Sequence, residues 1–94
     1  MPVGYIFEWD PDKAEENLSK HGVSIAEAVT AFGDPLSMNM PDPDHSEGEQ
    51  RFIVLGMSDR YRLLVVSYTE RPPRTRIIRA RLATRHEREQ YEEE

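Results

Sequence analysis

Residues 51–83, RFIVLGMSDRYRLLVVSYTERPPRTRIIRARLA, decide the fold. Three runs rich in β-branched and apolar residues, Arg51 to Met57, Tyr61 to Thr69 and Thr75 to Ala83, are separated by Ser58-Asp59-Arg60 and by Arg71-Pro72-Pro73-Arg74, and each reads as a strand. Connections this short leave no room for a crossover helix, so the strands form an antiparallel meander. Leu63, Leu64, Val65 and Val66 are apolar without alternation, which calls for cover on both faces and makes the second run the central strand. The third run alternates, with Ile78, Ala80 and Leu82 on one face and Ile77, Arg79 and Arg81 on the other. That second face is polar, and a ligand has room to lie there.

Upstream, Tyr5 to Trp9 reads as a short strand ended by Asp10-Pro11. Asp10 suits a helix N-cap, Pro11 the first helical position and Gly22 the left-handed residue past the end, which predicts a helix over 11–21. Ser24 with Glu27 has the spacing of a capping box, and Ile25, Val29 and Phe32 form the apolar stripe of a second helix ending at Gly33. Pro35 to Met40 suits an edge strand. Pro41 to Gln50 is dense in turn formers and acids, a loop expected to hold no core residue. Downstream, Thr84 and Glu87 form another capping box, opening a short helix through Tyr91 that carries no apolar stripe. Such a helix is marginal in water, so it either frays or docks through Tyr91 and its arginines on the open sheet face or on a partner. The predicted class is α+β: an antiparallel sheet with two N-terminal helices and a short C-terminal helix. Residues 1–94 are expected to make one domain, with 92–94 a frayed acidic tail.

Composition narrows the chemistry. The chain is 37% hydrophobic, and the apolar residues cluster in periodic runs, which argues against disorder. No window approaches the run of about 18 apolar residues that spans a membrane, and the N-terminus lacks the regions of a signal peptide. A soluble, cytoplasmic protein is expected. With no cysteine, disulfides, thiolate metal sites and cysteine nucleophiles are excluded. His21, His45 and His86 are widely spaced with no His-x-x-x-His pair, so neither a metal nor another cofactor is expected. The net charge of −6 conceals an asymmetry: residues 1–50 carry two lysines against eleven acids, whereas residues 51–94 carry ten arginines against seven acids. Arginine keeps its charge and presents a planar fork suited to phosphate, so the second half points to a nucleic-acid surface rather than to a sheet merely laced with solvated charge.

Several short strings carry a resemblance. Phe7-Glu8-Trp9-Asp10, Lys13, Asn17, the KHGVS string from Lys20 to Ser24, Glu27-Ala28, Phe32, Asp42 with His45-Ser46, Glu49 with Arg51, Tyr68-Thr69 with Arg71, Arg76-Ile77-Ile78, Ala80-Arg81 and Glu87-Arg88 with Tyr91 together resemble the BrnT toxin family over residues 5–91. The resemblance implies a RelE-like fold, RNA cleavage that inhibits translation, and a BrnA-like antitoxin with a ribbon-helix-helix DNA-binding end. It also implies a two-plus-two toxin-antitoxin assembly that reaches operator DNA through the antitoxin. Ile25 stands where the family more often has an aromatic residue, and Arg79 where it often has a small polar one.

Metal-free RNA cleavage needs the 2′-hydroxyl deprotonated, the phosphate charge stabilised and the leaving oxygen protonated. The candidates for catalysis are Lys20, His21, Arg51, Arg81 and Tyr91; for RNA binding, Arg76, Arg79, Arg85 and Tyr68. Lys20 and His21 fall at the C-terminal end of the first helix, where the macrodipole favours cations, and either cap that end or act on substrate. His45 is a general base or a loop-ordering residue. Arg81 on the polar face is the leading phosphate ligand. Arg76 shares parity with Ile78 and Ala80, so it either binds phosphate or pairs with a carboxylate; Tyr68 shares parity with Leu64 and Val66, which favours the core. A rival reading is a non-catalytic binding module acting as corepressor with the antitoxin. Convergence of Lys20, His21, Arg51, Arg81 and Tyr91 on one concavity separates the two.

Overall fold

The computed structural model describes residues 5–42, 44 and 48–93. A two-residue strand β1 (Phe7–Glu8) leads into α1 (Pro11–His21), α2 (Ile25–Thr30) and a 3₁₀ turn (Ala31–Gly33), followed by β2 (Met38–Pro41), β3 (Arg51–Met57), β4 (Leu63–Arg71), β5 (Arg74–Leu82) and α3 (Arg85–Glu92). The Asp10 carboxylate accepts from the N–H groups of Asp12 and Lys13 at 2.9 and 3.4 Å, and Gly22 closes α1 at φ 68° with its N–H on Leu18 O. Both ends of α1 are therefore set by local chemistry alone. Ser24 Oγ accepts from Glu27 N–H at 3.0 Å, but the box is only half made. The Glu27 carboxylate turns instead to Arg62, which also donates to Gly22 O, and to Ser58 Oγ at 2.7 Å. A guanidinium is a stronger partner than a backbone amide, and this ion pair ties α2 to the β3–β4 connection.

The sheet order is β1-β5-β4-β3-β2, with β4 central as its unbroken apolar run requires, and β2 through β5 antiparallel. β1 pairs parallel to β5. Element boundaries differ from expectation: β1 is confined to Phe7–Glu8, α2 gives way to the 3₁₀ turn after Thr30, and the ends of β2, β4 and β5 shift. The Asp34 carboxylate accepts from Leu36 N–H and Asp34 O from Ser37 N–H, which bends residues 34–37 into a turn and delays β2 to Met38. Tyr61 sits at φ 59° in the turn after β3, so β4 starts at Leu63. β4 and β5 run to Arg71 and from Arg74, leaving a two-residue turn at Pro72-Pro73.

Helices α1 and α2 cover one face over Val23, Ile25, Ala28, Val54, Leu64, Val66 and Ala80, with Phe7 and Phe32 at the margin. Gly56 allows the close approach there, since a Cβ would stand 2.6 Å from Ala31 O. On the opposite face Leu55, Leu63 and Val65 are covered by Ala83 and Tyr91, so α3 docks on the sheet rather than fraying. Glu92 is its last residue and Glu93 its C-cap; Glu94 lies outside the described residues.

A register shift alters the expected parity of β5. Ser67 pairs with Arg79 but Tyr68 pairs with Ile77, so Ile78 is the extra residue of a β-bulge. Ile77 is consequently core, on the same face as Ala80, not on the polar face with Arg79 and Arg81. Arg76 moves the other way, onto the face of Arg79 and Arg81. The acidic loop also contributes a buried residue, Asp42, whose N–H extends the ladder to Arg51 O at 2.8 Å.

Candidate functional site

The bulge writes three cross-strand rows onto the face away from α1 and α2: Arg51-Thr69-Arg76, Ile53-Ser67-Arg79 and Leu55-Val65-Arg81. α3 covers the Leu55-Val65 end and, among the described residues, leaves the rest of the face without a covering helix. At the β5 margin, α1 supplies a wall. Asn17 holds it there as a strand would: its amide donates to Ala80 O and accepts from Ala80 N–H, each at 2.9 Å, and it also donates to Val23 O. This pairing caps the edge that β1, only two residues long, leaves uncovered. It also sets Lys20 and His21, at the end of α1, over the rim of the open face.

Between the wall and the sheet runs one groove of three adjoining hollows, of about 210, 290 and 380 Å³. The first and second share Lys13, Arg51 and Ile78; the second and third share His21 and Arg79. Lys20, His21, Arg51 and Arg79 thus meet around the middle hollow, Arg76 lines the first and Arg81 the third. Asp10, Glu16 and Glu49 intersperse acids along the same walls.

The basic groups differ in their commitments. Arg71 forks onto Glu49 at 2.9 and 3.1 Å and thereby holds that carboxyl below its ordinary pKa. Arg76 donates to Glu8 at 2.9 Å, the carboxylate pairing that its parity left open. Arg81, expected as the leading phosphate ligand, places both terminal nitrogens on Glu87 at 2.8 Å. The hydrogen bond from Arg81, against the cost of burial and with help from Thr84 N–H, pulls Glu87 down to about 2. Arg81 in this state anchors the capping box of α3. Among the described residues, the side chains of Lys13, Lys20, His21 and Arg79 form no ion pair or hydrogen bond.

Three expected site residues lie apart from the groove. Tyr68 is 7% exposed in the core between Phe32 and Phe52, its hydroxyl given to Asn39 at 2.6 Å, so it offers no ring face to RNA. Tyr91 packs on the Leu55-Leu63-Val65 cluster and donates to Asp34 at 2.5 Å; that bond, with burial, pushes its phenol up to about 12. Arg85, its side chain 95% exposed on α3, faces Glu89 at 3.6 Å. His45 lies outside the described residues. Sequence reasoning missed Asn17, Lys13 and Ser67 as parts of the groove; a small hydroxyl directly after the apolar run LLVV was the available signal for the last. Among the described residues no group of three His, Asp or Glu side chains gathers in a way that would hold a metal. An imidazole, ammonium groups and guanidinium groups on one groove are equipped to transfer protons and to stabilise phosphate charge.

This small α+β fold is also that of a solved ribonuclease toxin. The chain is similar to the crystal structure of the Brucella abortus ribonuclease toxin BrnT, with a TM-score of 0.68 at 18% identity over 87% of this chain and all of that one. At that identity the likeness speaks for the fold. The sequence model of BrnT, the ribonuclease toxin of type II toxin-antitoxin systems, matches residues 9–87. The chain belongs to the BrnT family of ribonuclease toxins, and a type II system implies an antitoxin partner. No curated protein matches it.

Proposed function

We propose that this chain, acting as one unit, cleaves RNA without a metal, and that the strand lies along the groove between α1 and the open sheet face. The observation that carries the reading is the meeting of Lys20, His21, Arg51 and Arg79 around one hollow. In this reaction the 2′-hydroxyl oxygen attacks the adjacent phosphorus, the bond to the 5′-oxygen breaks, and the products are a 2′,3′-cyclic phosphate and a 5′-hydroxyl. The 2′-hydroxyl loses one proton and the departing oxygen gains one. His21 serves proton transfer, Lys20 and Arg51 neutralise charge that grows on the phosphate oxygens, and Arg79 contacts the bound RNA from the wall it shares with the third hollow. Arg76 borders the path of the strand, while Arg81 and Tyr91 act through the placement of α3. The expected setting is the cytoplasm, where cleavage inhibits translation. The antitoxin partner is of the BrnA-like ribbon-helix-helix type, in a two-plus-two assembly that reaches operator DNA through the antitoxin.

Purified chain should degrade RNA in excess EDTA and leave ends carrying cyclic phosphate, and expression without the partner should arrest growth. His21→Ala should lower single-turnover cleavage by roughly 100-fold, within the range for a positioned proton-transfer group. Activity abolished by EDTA and restored by one metal overturns the metal-free mechanism. Full activity in His21→Ala removes His21 from it.

A further inference from the structure

The three hollows are not alike. All three carry charged side chains, but the third sets them, Asp42, Asp44, Arg79 and Arg81 with His21, around an apolar floor of Ile53 and Val65 with Ser67 between them. Ser67 is 8% exposed, and it makes no hydrogen bond through its side chain among the described residues. Among the described residues no sealed side-chain oxygen or nitrogen is left unpartnered, so the Ser67 hydroxyl opens into the hollow that it lines. The bulge at Ile78 begins beside it, with Arg79 directly across from Ser67. Bulges of this kind re-aim side chains beside functional sites. An apolar floor, an inward hydroxyl and charged groups of both signs at the rim are the makings of a small-ligand pocket.

We propose that this hollow takes a guanine base turned out of the RNA strand, an inference that rests on the groove being the RNA site. The floor receives the face of the ring. Guanine alone among the common bases offers two adjacent acceptors, O6 and N7, for an arginine fork, and two adjacent donors, N1–H and N2–H, for a carboxylate. Arg79 supplies a fork without an internal partner among the described residues, and Asp44 supplies an exposed carboxylate. Adenine and uracil lack that pair of edges. The division of labour is then phosphate in the first two hollows and base in the third, which gives cleavage a sequence preference.

The test is fluorescence anisotropy with the full chain and short labelled 2′-O-methyl RNAs, in which the attacking hydroxyl is blocked. They carry guanine, inosine, adenine or uracil at one position in an otherwise uridine strand. The guanine strand should bind about tenfold more tightly than the others, inosine losing affinity because it lacks the N2 amino group. Ser67→Val, which replaces the inward hydroxyl with methyl groups, and Asp44→Ala, on the surface, should each erase the preference while leaving affinity for oligouridine within about twofold. Thermal melts confirm that both variants fold. Equal affinity of the wild type for all four strands, or a preference surviving both substitutions, overturns the base site and leaves the RNA groove standing. Failure to bind any strand overturns the groove reading and this inference with it.

Discussion

Arg79 and Arg81 differ by two positions on β5 and face the same side of the sheet, yet their surroundings assign them different work. Arg81 is spent on Glu87, whereas Arg79 stands in the wall shared by two hollows. Arg81→Ala should therefore act on stability. Removing one partner of a partly exposed, bidentate pair costs about 1 kcal/mol after solvent screening, or roughly 5 °C in melting temperature for a domain of this size. Arg79→Ala should leave the melt within about 0.5 kcal/mol and weaken binding of a guanine-bearing RNA by about 1–3 kcal/mol with little change in the salt slope. Melts and binding titrations of both variants at several salt concentrations check this pair, and the reverse pattern would exchange the two roles. Titration follows the same contacts. Glu87 and Glu27 are held below their ordinary range by Arg81 and Arg62, so the unfolded chain binds protons more readily. Their contribution is complete above an unfolded value near 4.5 and is lost as pH falls toward about 2 for Glu87. Tyr68, raised mainly by burial, and Tyr91, raised mainly by Asp34, reach about 12 from 10.0, so their contribution is complete below pH 10 and drains as pH rises toward 12. Denaturant melts across pH should fall at both ends, and Glu87→Gln should flatten the acid limb.

At the scale of elements, two docking contacts shape the groove. Asn17 replaces a missing stretch of edge strand, so Asn17→Ala orphans Ala80 N–H, Ala80 C=O and Val23 C=O together. With unsatisfied buried groups costing about 1–3 kcal/mol each, the loss should reach about 3 kcal/mol or more. Urea unfolding measures it, and a change under about 1 kcal/mol would mean that water replaces the amide. The other contact is Tyr91 on Asp34, which also accepts from Met57 N–H. Burial works against the Asp34 charge, but the hydrogen bonds from Tyr91, Met57 and Leu36 outweigh it and keep its pKa lowered. Tyr91→Phe keeps the ring on Leu55, Leu63 and Val65 and removes one of those bonds, for an expected cost of about 1–2 kcal/mol. Cleavage per folded molecule should stay near wild type, because Tyr91 does not line the groove. A large kcat defect with a normal melt would return Tyr91 to the reaction.

Over the whole molecule, the acid-rich first half and arginine-rich second half meet along the groove: α1 brings Lys13, Glu16, Lys20 and His21 against Arg51 and Arg79 from β3 and β5. A net charge of −6 overall with a local basic channel favours selective over indiscriminate polyanion binding. An antitoxin that blocks this channel with an acidic segment should bind more weakly as salt rises and should slow RNA cleavage. Calorimetry at two ionic strengths, paired with cleavage by the complex, measures both. A complex that cleaves as fast as the free chain would place the antitoxin elsewhere.

What the amino-acid order determined by itself was whatever depends on neighbours in the chain. Asp10, Pro11 and Gly22 bounded α1, Thr84 with Glu87 opened α3, and the unbroken LLVV run put β4 in the centre, because capping and burial periodicity act over a few residues. The types of side chain suited to phosphate were legible for the same reason. The rest waited on tertiary structure. The bulge at Ile78 inserts a residue without any turn former to announce it, and it alone brings Arg76 onto the face of Arg79 and Arg81. Glu27 had a local cap available and chose Arg62; Arg81 had solvent available and chose Glu87. Asn17 and Ala80 are 63 residues apart, Tyr91 and Asp34 are 57. Such choices turn on which partner lies within about 3 Å once the chain is packed, a distance that spacing along the sequence does not encode.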